Sequence, residues 1–222
     1  MQLTFLRHAS LWATLPFSNA ACAAASLLVD DAGTTPAGHC QLESWARRHG
    51  NHPIVTTTPA CTLGGTEWSL GLSHLPGAGS TPWSLGSKRT LRGLDDERVQ
   101  FAFSAGIGGD MRHAGARGWT LNLPASFVLD VAGRIVLHAN VGWDHDRVDR
   151  GMTAGIGSAI GFASGWSLLA ERWRDAARVH GSQIGVRRHL RDEASLDLLA
   201  GHAHDASSTS WITVGLNIPL AR

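Results

Sequence analysis

Residues 210–220, SWITVGLNIPL, alternate: Ile212, Val214, Leu216, Ile218 and Leu220 fall on one side of an extended chain, and Thr213, Gly215 and Asn217 fall on the other. Successive side chains of a strand point to opposite faces, so this stretch reads as a strand with one apolar face. The same pattern recurs upstream. Val99, Phe101, Phe103, Ala105 and Ile107 oppose Gln100, Ser104, Gly106 and Gly108, and Leu121, Leu123, Ala125, Phe127 and Leu129 oppose Thr120, Asn122 and Ser126. Ile135, Leu137, Ala139, Val141 and Trp143 oppose His138, Asn140 and Gly142, while Met152, Ala154, Ile156, Ile160 and Phe162 oppose a line of small residues. Helical periodicity is nearly absent.

Continued along the chain, the pattern predicts roughly twelve strands, at 40–48, 52–61, 66–75, 81–92, 98–110, 118–130, 134–146, 151–163, 166–177, 181–192, 195–204 and 208–220. The connections alternate. Short, glycine- or turn-rich ones (CTLGG, DVAGR, ASG, RDEAS) exchange with more polar ones (RRHGNH, PGAGSTP, GDMRHAGARG, WDHDRVDR, WRDAARVHGS, HAHDASST), and RGLDDERVQ at 92–100 is a longer member of the short series. Short turns on one rim, longer loops on the other and an even strand count are the wiring of an outer-membrane barrel. Strand length agrees, because about 9–11 tilted residues cross a bilayer whereas a globular strand averages about 5–6. The fold class expected is therefore all-β: a single antiparallel transmembrane β-barrel with short periplasmic turns and longer external loops.

Composition narrows the function. The 222 residues carry 19 basic and 18 acidic side chains, which gives no reason to expect a nucleic-acid partner. An apolar span long enough for a transmembrane helix, about 18 residues, is missing. The chain has 9 Trp and no Tyr. With the short turns on the periplasmic side, Trp83, Trp119, Trp143 and Trp211 fall at the external ends of strands, and Trp68 and Trp166 near the inner ends. Interfacial aromatics collect at those two levels, which the core of a soluble sandwich does not predict. Outer-membrane lipid and the barrel-assembly machinery are thus the expected partners.

At the start, MQLTFLRHASLWATLPFSNAACAAAS has an early Arg7, a short apolar stretch and an alanine-rich end, the layout of a signal peptide over residues 1–25 with cleavage near Ala23 to Ala25. Residues 26–39 are then expected as a periplasmic N-terminal segment and 40–222 as the barrel. Loss of Cys22 with the signal leaves Cys40 and Cys61, an even pair that in an oxidising compartment reads as a disulfide.

On this parity the inward face carries Glu43, Glu67, Lys88, Glu171, Arg187, His189 and Asp197. Charges inside a barrel have to be hydrated or paired. Two readings follow: a lumen filled by its own ion pairs, which makes the protein a structural or interaction barrel, or a polar passage for a small solute. Twelve strands lie between the eight that side chains can fill and the sixteen that leave an open channel. Inward glycines such as Gly155, Gly157 and Gly161 leave room or allow tight curvature.

Other chemistry has little support. The histidines His49, His52, His113, His145, His202 and His204 with Asp205 sit in or beside polar loops, and no cysteine or carboxylate cluster completes a metal site. Serines near His202 and His204 would suit an outer-membrane lipid-modifying hydrolase, but no oriented triad, G-x-S-x-G elbow or P-loop is present. No cofactor, metal or catalytic residue is expected.

CQLESW, with its second cysteine in PAC, followed by GGTEWSLGLS, WSLGSKRTLRG, VLHANVGW, LLAERW and IGVRRHL, resembles proteobacterial outer-membrane barrel proteins classed as transporters of the phenol-degradation MetA-pathway type. The resemblance implies that Glu43, Glu67, Lys88, Asn140 and Glu171 hold the family's recurring polar positions, and that small, hydrophobic or aromatic molecules pass. One departure is the end NIPLAR, where many such barrels finish on an aromatic residue. The expected function is a passive channel or transporter-like barrel, with Glu43, Glu67, Lys88, Asn140, Glu171 and Arg187 lining the lumen.

Overall fold

A computed structural model describes residues 26–77, 79–91, 98–204 and 209–220. The expected signal peptide and Asp205 lie outside these residues. The strands are β1 (Cys40–His49), β2 (His52–Leu63), β3 (Thr66–His74), β4 (Pro82–Leu91), β5 (Val99–Asp110), β6 (Gly118–Val128), β7 (Ile135–His145), β8 (Arg150–Ala163), β9 (Trp166–Arg174), β10 (His180–His189), β11 (Ser195–His204) and β12 (Ser210–Leu220). Each pairs antiparallel with its sequence neighbour, and β1 closes on β12 from Cys40 opposite Leu220 to His49 opposite Trp211. Closure leaves no unpaired edge, the condition for a sheet to cross hydrocarbon.

The twelve observed strands match the expected series, with trimmed ends. Strand β9 stops at Arg174 rather than 177, because the next residues form a turn in which the Asp175 carboxylate accepts the Val179 N–H at 2.8 Å. Strand β10 stops at His189 rather than 192, where Arg191–Glu193 make one 3₁₀ turn with Asp192 at a φ of 57°.

Alternation is strict where it bears on solvent and lipid. Leu70, Leu85, Phe101, Phe103, Leu121, Leu123, Val141, Ile156, Ile184, Ile212 and Val214 are exposed on the outer wall, an apolar band of the kind lipid requires. The outward aromatics Trp68, Trp119, Trp143 and Trp166 are exposed, and Trp83 is half-buried. Trp211 corrects the sequence reading: it is buried inside the barrel, 6% exposed, not at a membrane interface. It shares the parity of Thr213 and Asn217, packs between His49 and Trp173 with ring centroids 5.3 and 5.6 Å away, and donates its indole N–H to Gln183 at 3.2 Å. Gly201 makes the space, since a Cβ there would fall 2.2 Å from the indole.

Cys40 and Cys61 are register partners on β1 and β2 and are joined by a disulfide at the rim of short turns. In the chain-entropy treatment, closing a loop of this length contributes about 3 kcal/mol. Reduction, or Cys40→Ser with Cys61→Ser, is expected to lower the temperature at which the folded form loses its heat-modifiable gel mobility. The β1–β2 hairpin should gain amide exchange ahead of β5–β8.

Candidate functional site

The lumen is organised around residues 26–39. The sequence placed this segment on the periplasmic side, but from Ser26 to Thr35 it runs inside the barrel. It has no regular structure, so its peptide groups have no ladder partners and must find others where water is excluded. Inward side chains supply them. Glu171 accepts the N–H of Leu28 at 2.7 Å and of Val29 at 3.2 Å. Ser126 accepts the N–H of Ala32 at 2.9 Å, and Glu67 that of Thr35 at 2.7 Å. In the other direction, Asn140 donates to the Asp30 carbonyl at 2.9 Å, Thr90 to that of Ala32 at 3.0 Å and Gln183 to that of Ser26 at 3.2 Å.

Charge pairing follows the same plan. Lys88 on β4 meets Asp30 at 2.7 Å and Asp31 at 3.5 Å, both from the inserted segment. Arg187 on β10 forms a two-point pair with Asp197 on β11, at 2.7 and 2.9 Å, and the Ser26 hydroxyl donates to the same carboxylate at 2.5 Å. Charge-assisted two-point pairs are the strong kind. Glycines provide the bed. A Cβ on Gly155 would come within 2.8 Å of the Val29 side chain, one on Gly157 within 3.3 Å, and one on Gly215 within 2.6 Å of Ser26. Val29 and Ala32 are accordingly almost fully buried. Gly155 and Gly157 are small to make room for the segment, whereas a Cβ on Gly161 would meet only Arg134 at ordinary contact distance.

All six expected lumen residues point inward. Glu67, Lys88, Asn140 and Glu171 hold the segment directly, while Arg187 braces Asp197. Glu43 differs: the side-chain contact it shows is with Gln41 at 3.5 Å, and it borders a cavity. That cavity, about 710 Å³, lies beside the segment along β3–β7. Its wall sets hydroxyls and glycines, Ser69, Ser84, Gly86, Ser104, Gly106 and Thr120, among apolar side chains such as Leu27, Val29 and Ala60. Asp30, Asp31, Lys88 and Glu67 line its deep end, and Asp110, Arg117, Asp144 and Asp146 line it at the rim of longer loops. The N–H groups of Asp149 and Val148, both 2.7 Å from Asp146, hold that carboxyl below the usual carboxylate range, so the mouth keeps a fixed negative charge near neutrality.

Residues the sequence reading missed are those of the segment itself, above all Val29, Asp30 and Asp31. Residues 26–39 carry no periodicity that marks them as lumen residues. Of the serines near His202, Ser210 is bonded to it at 2.9 Å, on the outward face.

Placing a side chain at residue 157 should unseat the segment. Ala32→Cys is expected to resist a water-soluble maleimide in the folded barrel, and the addition of Gly157→Leu should raise its labelling rate by about tenfold or more, as a local opening of roughly 1.4 kcal/mol would. Lys88→Ala, which leaves the buried Asp31 and the half-buried Asp30 without their cation, should cost about 3 kcal/mol of stability.

The sequence matches a family described as "Uncharacterised conserved protein UCP029691" over residues 11–220. No match was found among curated protein sequences. Among solved structures, the fold is similar to the KdgM porin (TM-score 0.67, 8% identity, covering 82% of this chain and 99% of that one). It is also similar to the NanC porin (TM-score 0.60, 7% identity, 82% and 100%). A third likeness is to the COG4313 outer membrane channel from Pseudomonas putida F1 (TM-score 0.63, 10% identity, 86% and 98%). At these identities the likeness establishes the barrel architecture.

Proposed function

We propose, for a chain that belongs to this uncharacterised conserved family, that it is a passive outer-membrane channel for small molecules whose passage is narrowed by its own N-terminal segment. The observation that carries this reading is the cavity of about 710 Å³ left beside the segment. If the segment existed only to fill a structural barrel, close packing of the lumen would be the economical outcome. Instead one side, from β3 to β7, keeps a lane of serine, threonine and glycine. Similarity of fold to porins and an outer-membrane channel supports the same reading.

In this reading the longer loops face outside and the short turns face the periplasm, the orientation usual for such barrels. A solute enters past Asp110, Arg117, Asp144 and Asp146, slides along the hydroxyl-lined wall and meets Lys88, Glu43 and Glu67 at the narrow end. Rings of charged side chains select by charge as well as size. Three carboxylates against one guanidinium at the mouth favour cations over anions. Assignment to the MetA-pathway type of transporter is a finer step, supported by the sequence motifs quoted above, and would make phenol-sized aromatic molecules the cargo.

A second reading, a structural or interaction barrel, is favoured by one observation: the segment and its partners obstruct the lumen opposite the cavity. Planar-bilayer recording separates the two. The wild-type barrel should give small, weakly cation-selective steps, Asp146→Asn should reduce that selectivity, and Gly157→Leu should raise conductance several-fold. Absence of steps in both wild type and Gly157→Leu would leave the structural barrel. Uptake of phenol by liposomes carrying the protein, measured against empty liposomes, tests the finer step.

A further inference from the structure

Strand parity separates the charges of this barrel by face as well as by sign. Glu43, Glu67, Asp110, Asp144, Glu171 and Asp197, the acidic residues of the described strands, all take inward positions. Outward charge on the strands is therefore basic, and it gathers on β9–β11 at the rim of longer loops. Arg172 lies opposite Ser182, which lies opposite His202; in the next row Arg174 lies opposite His180, which lies opposite His204. Paired strands stand about 4.8 Å apart and alternate residues about 7 Å apart, so these two arginines and three histidines share a patch roughly 10 Å across. The His202 and His204 rings touch, with centroids 4.8 Å apart.

A groove of about 850 Å³ adjoins the patch on its membrane side. Its outward lining is apolar and stepped: Ala170 and Ala200 are low, Ile184 and Ile212 stand above them, and Ser182, His202 and Ser210 lie along its upper edge, with Arg48 on the far side. The opposite rim differs. There Arg188 is already engaged, over the Trp166 ring at 5.2 Å and donating to the Ser164 carbonyl at 2.8 Å.

A cationic patch at the headgroup level above an apolar groove is complementary to one kind of molecule, an acylated lipid with an anionic head. We propose that the outer wall of β9–β12 binds a phosphorylated glycolipid of the lipid A type, with its phosphate against Arg172, Arg174 and His202 and one acyl chain in the groove between Ile184 and Ile212. The choice of lipid A over a phospholipid rests on the outward-facing orientation of the longer loops proposed above.

The test uses the purified full-length barrel in neutral detergent, with diphosphoryl lipid A in mixed micelles as the probe and native mass spectrometry as the readout. One lipid A per barrel is expected. Arg172→Gln with Arg174→Gln should weaken retention about tenfold, while Arg188→Gln at the other rim should leave it unchanged, and millimolar inorganic phosphate should fail to displace the lipid. Equal retention by the double variant overturns the proposal, as does full displacement by phosphate, which would indicate a simple anion site, or equal retention of phosphatidylcholine, which would indicate an apolar groove alone. Retention of phosphatidylglycerol as strong as that of lipid A would overturn the choice of glycolipid. Conductance recorded on the same preparations is independent: a barrel that conducts without retaining lipid A defeats the lipid site, and one that retains lipid A without conducting defeats the channel.

Discussion

An irregular peptide inside a closed barrel has no ladder to join, and this constraint accounts for most of what the lumen contains. Each buried N–H and C=O left without a partner costs on the order of 1–3 kcal/mol. Glu67, Ser126 and Glu171 accept from the segment, and Thr90, Asn140 and Gln183 donate to it. The polar lumen is in this respect a substitute for a neighbouring strand. Its charges are a second layer of the same arrangement, since Lys88 is matched by Asp30 and Asp31 and would otherwise face Glu67 alone on its own pair of strands.

The barrel wall was legible because its code is local. A period of two, turn residues at regular intervals and strand lengths fit for a bilayer place all twelve strands within a few residues of where they fold. The disulfide was legible for the same reason, as Cys40 and Cys61 bracket one hairpin. Parity also fixed the inward direction of Glu43, Glu67, Lys88, Asn140, Glu171 and Arg187. Trp211 shows where a composition rule overrode the better signal. Grouped with the interfacial tryptophans by its position at a strand end, it has the inward parity of Thr213, and the missing side chain at Gly201 receives it.

What occupies the lumen was not legible, because nothing local records it. SLLVDDAGTTPAGH has no periodicity, and its partners stand far along the chain: Leu28 binds a carboxylate 143 residues away and Ser26 one 171 residues away. A count of charges by itself pairs the inward carboxylates with inward cations on neighbouring strands. For Arg187 and Asp197 that holds. Glu67 and Glu171 instead bind peptide N–H groups, a use of carboxylate that leaves no mark in a charge count.

Those sequence separations bear on the order in which the molecule assembles. Hairpins between adjacent strands form early, since little loop entropy opposes them, whereas a contact spanning 171 residues waits for most of the chain. The segment is tethered directly to β1, the strand whose pairing with β12 completes the ring. Its bed is built from β8, β9, β11 and β12, and so exists only when the last strands are in place. Ring closure and seating of the segment are thus coupled at the final step, with the amino-terminal chain retained as the wall shuts around it. A barrel caught just before that step is a wider and more hydrated object than the finished one, and its inward carboxylates are still solvated by water.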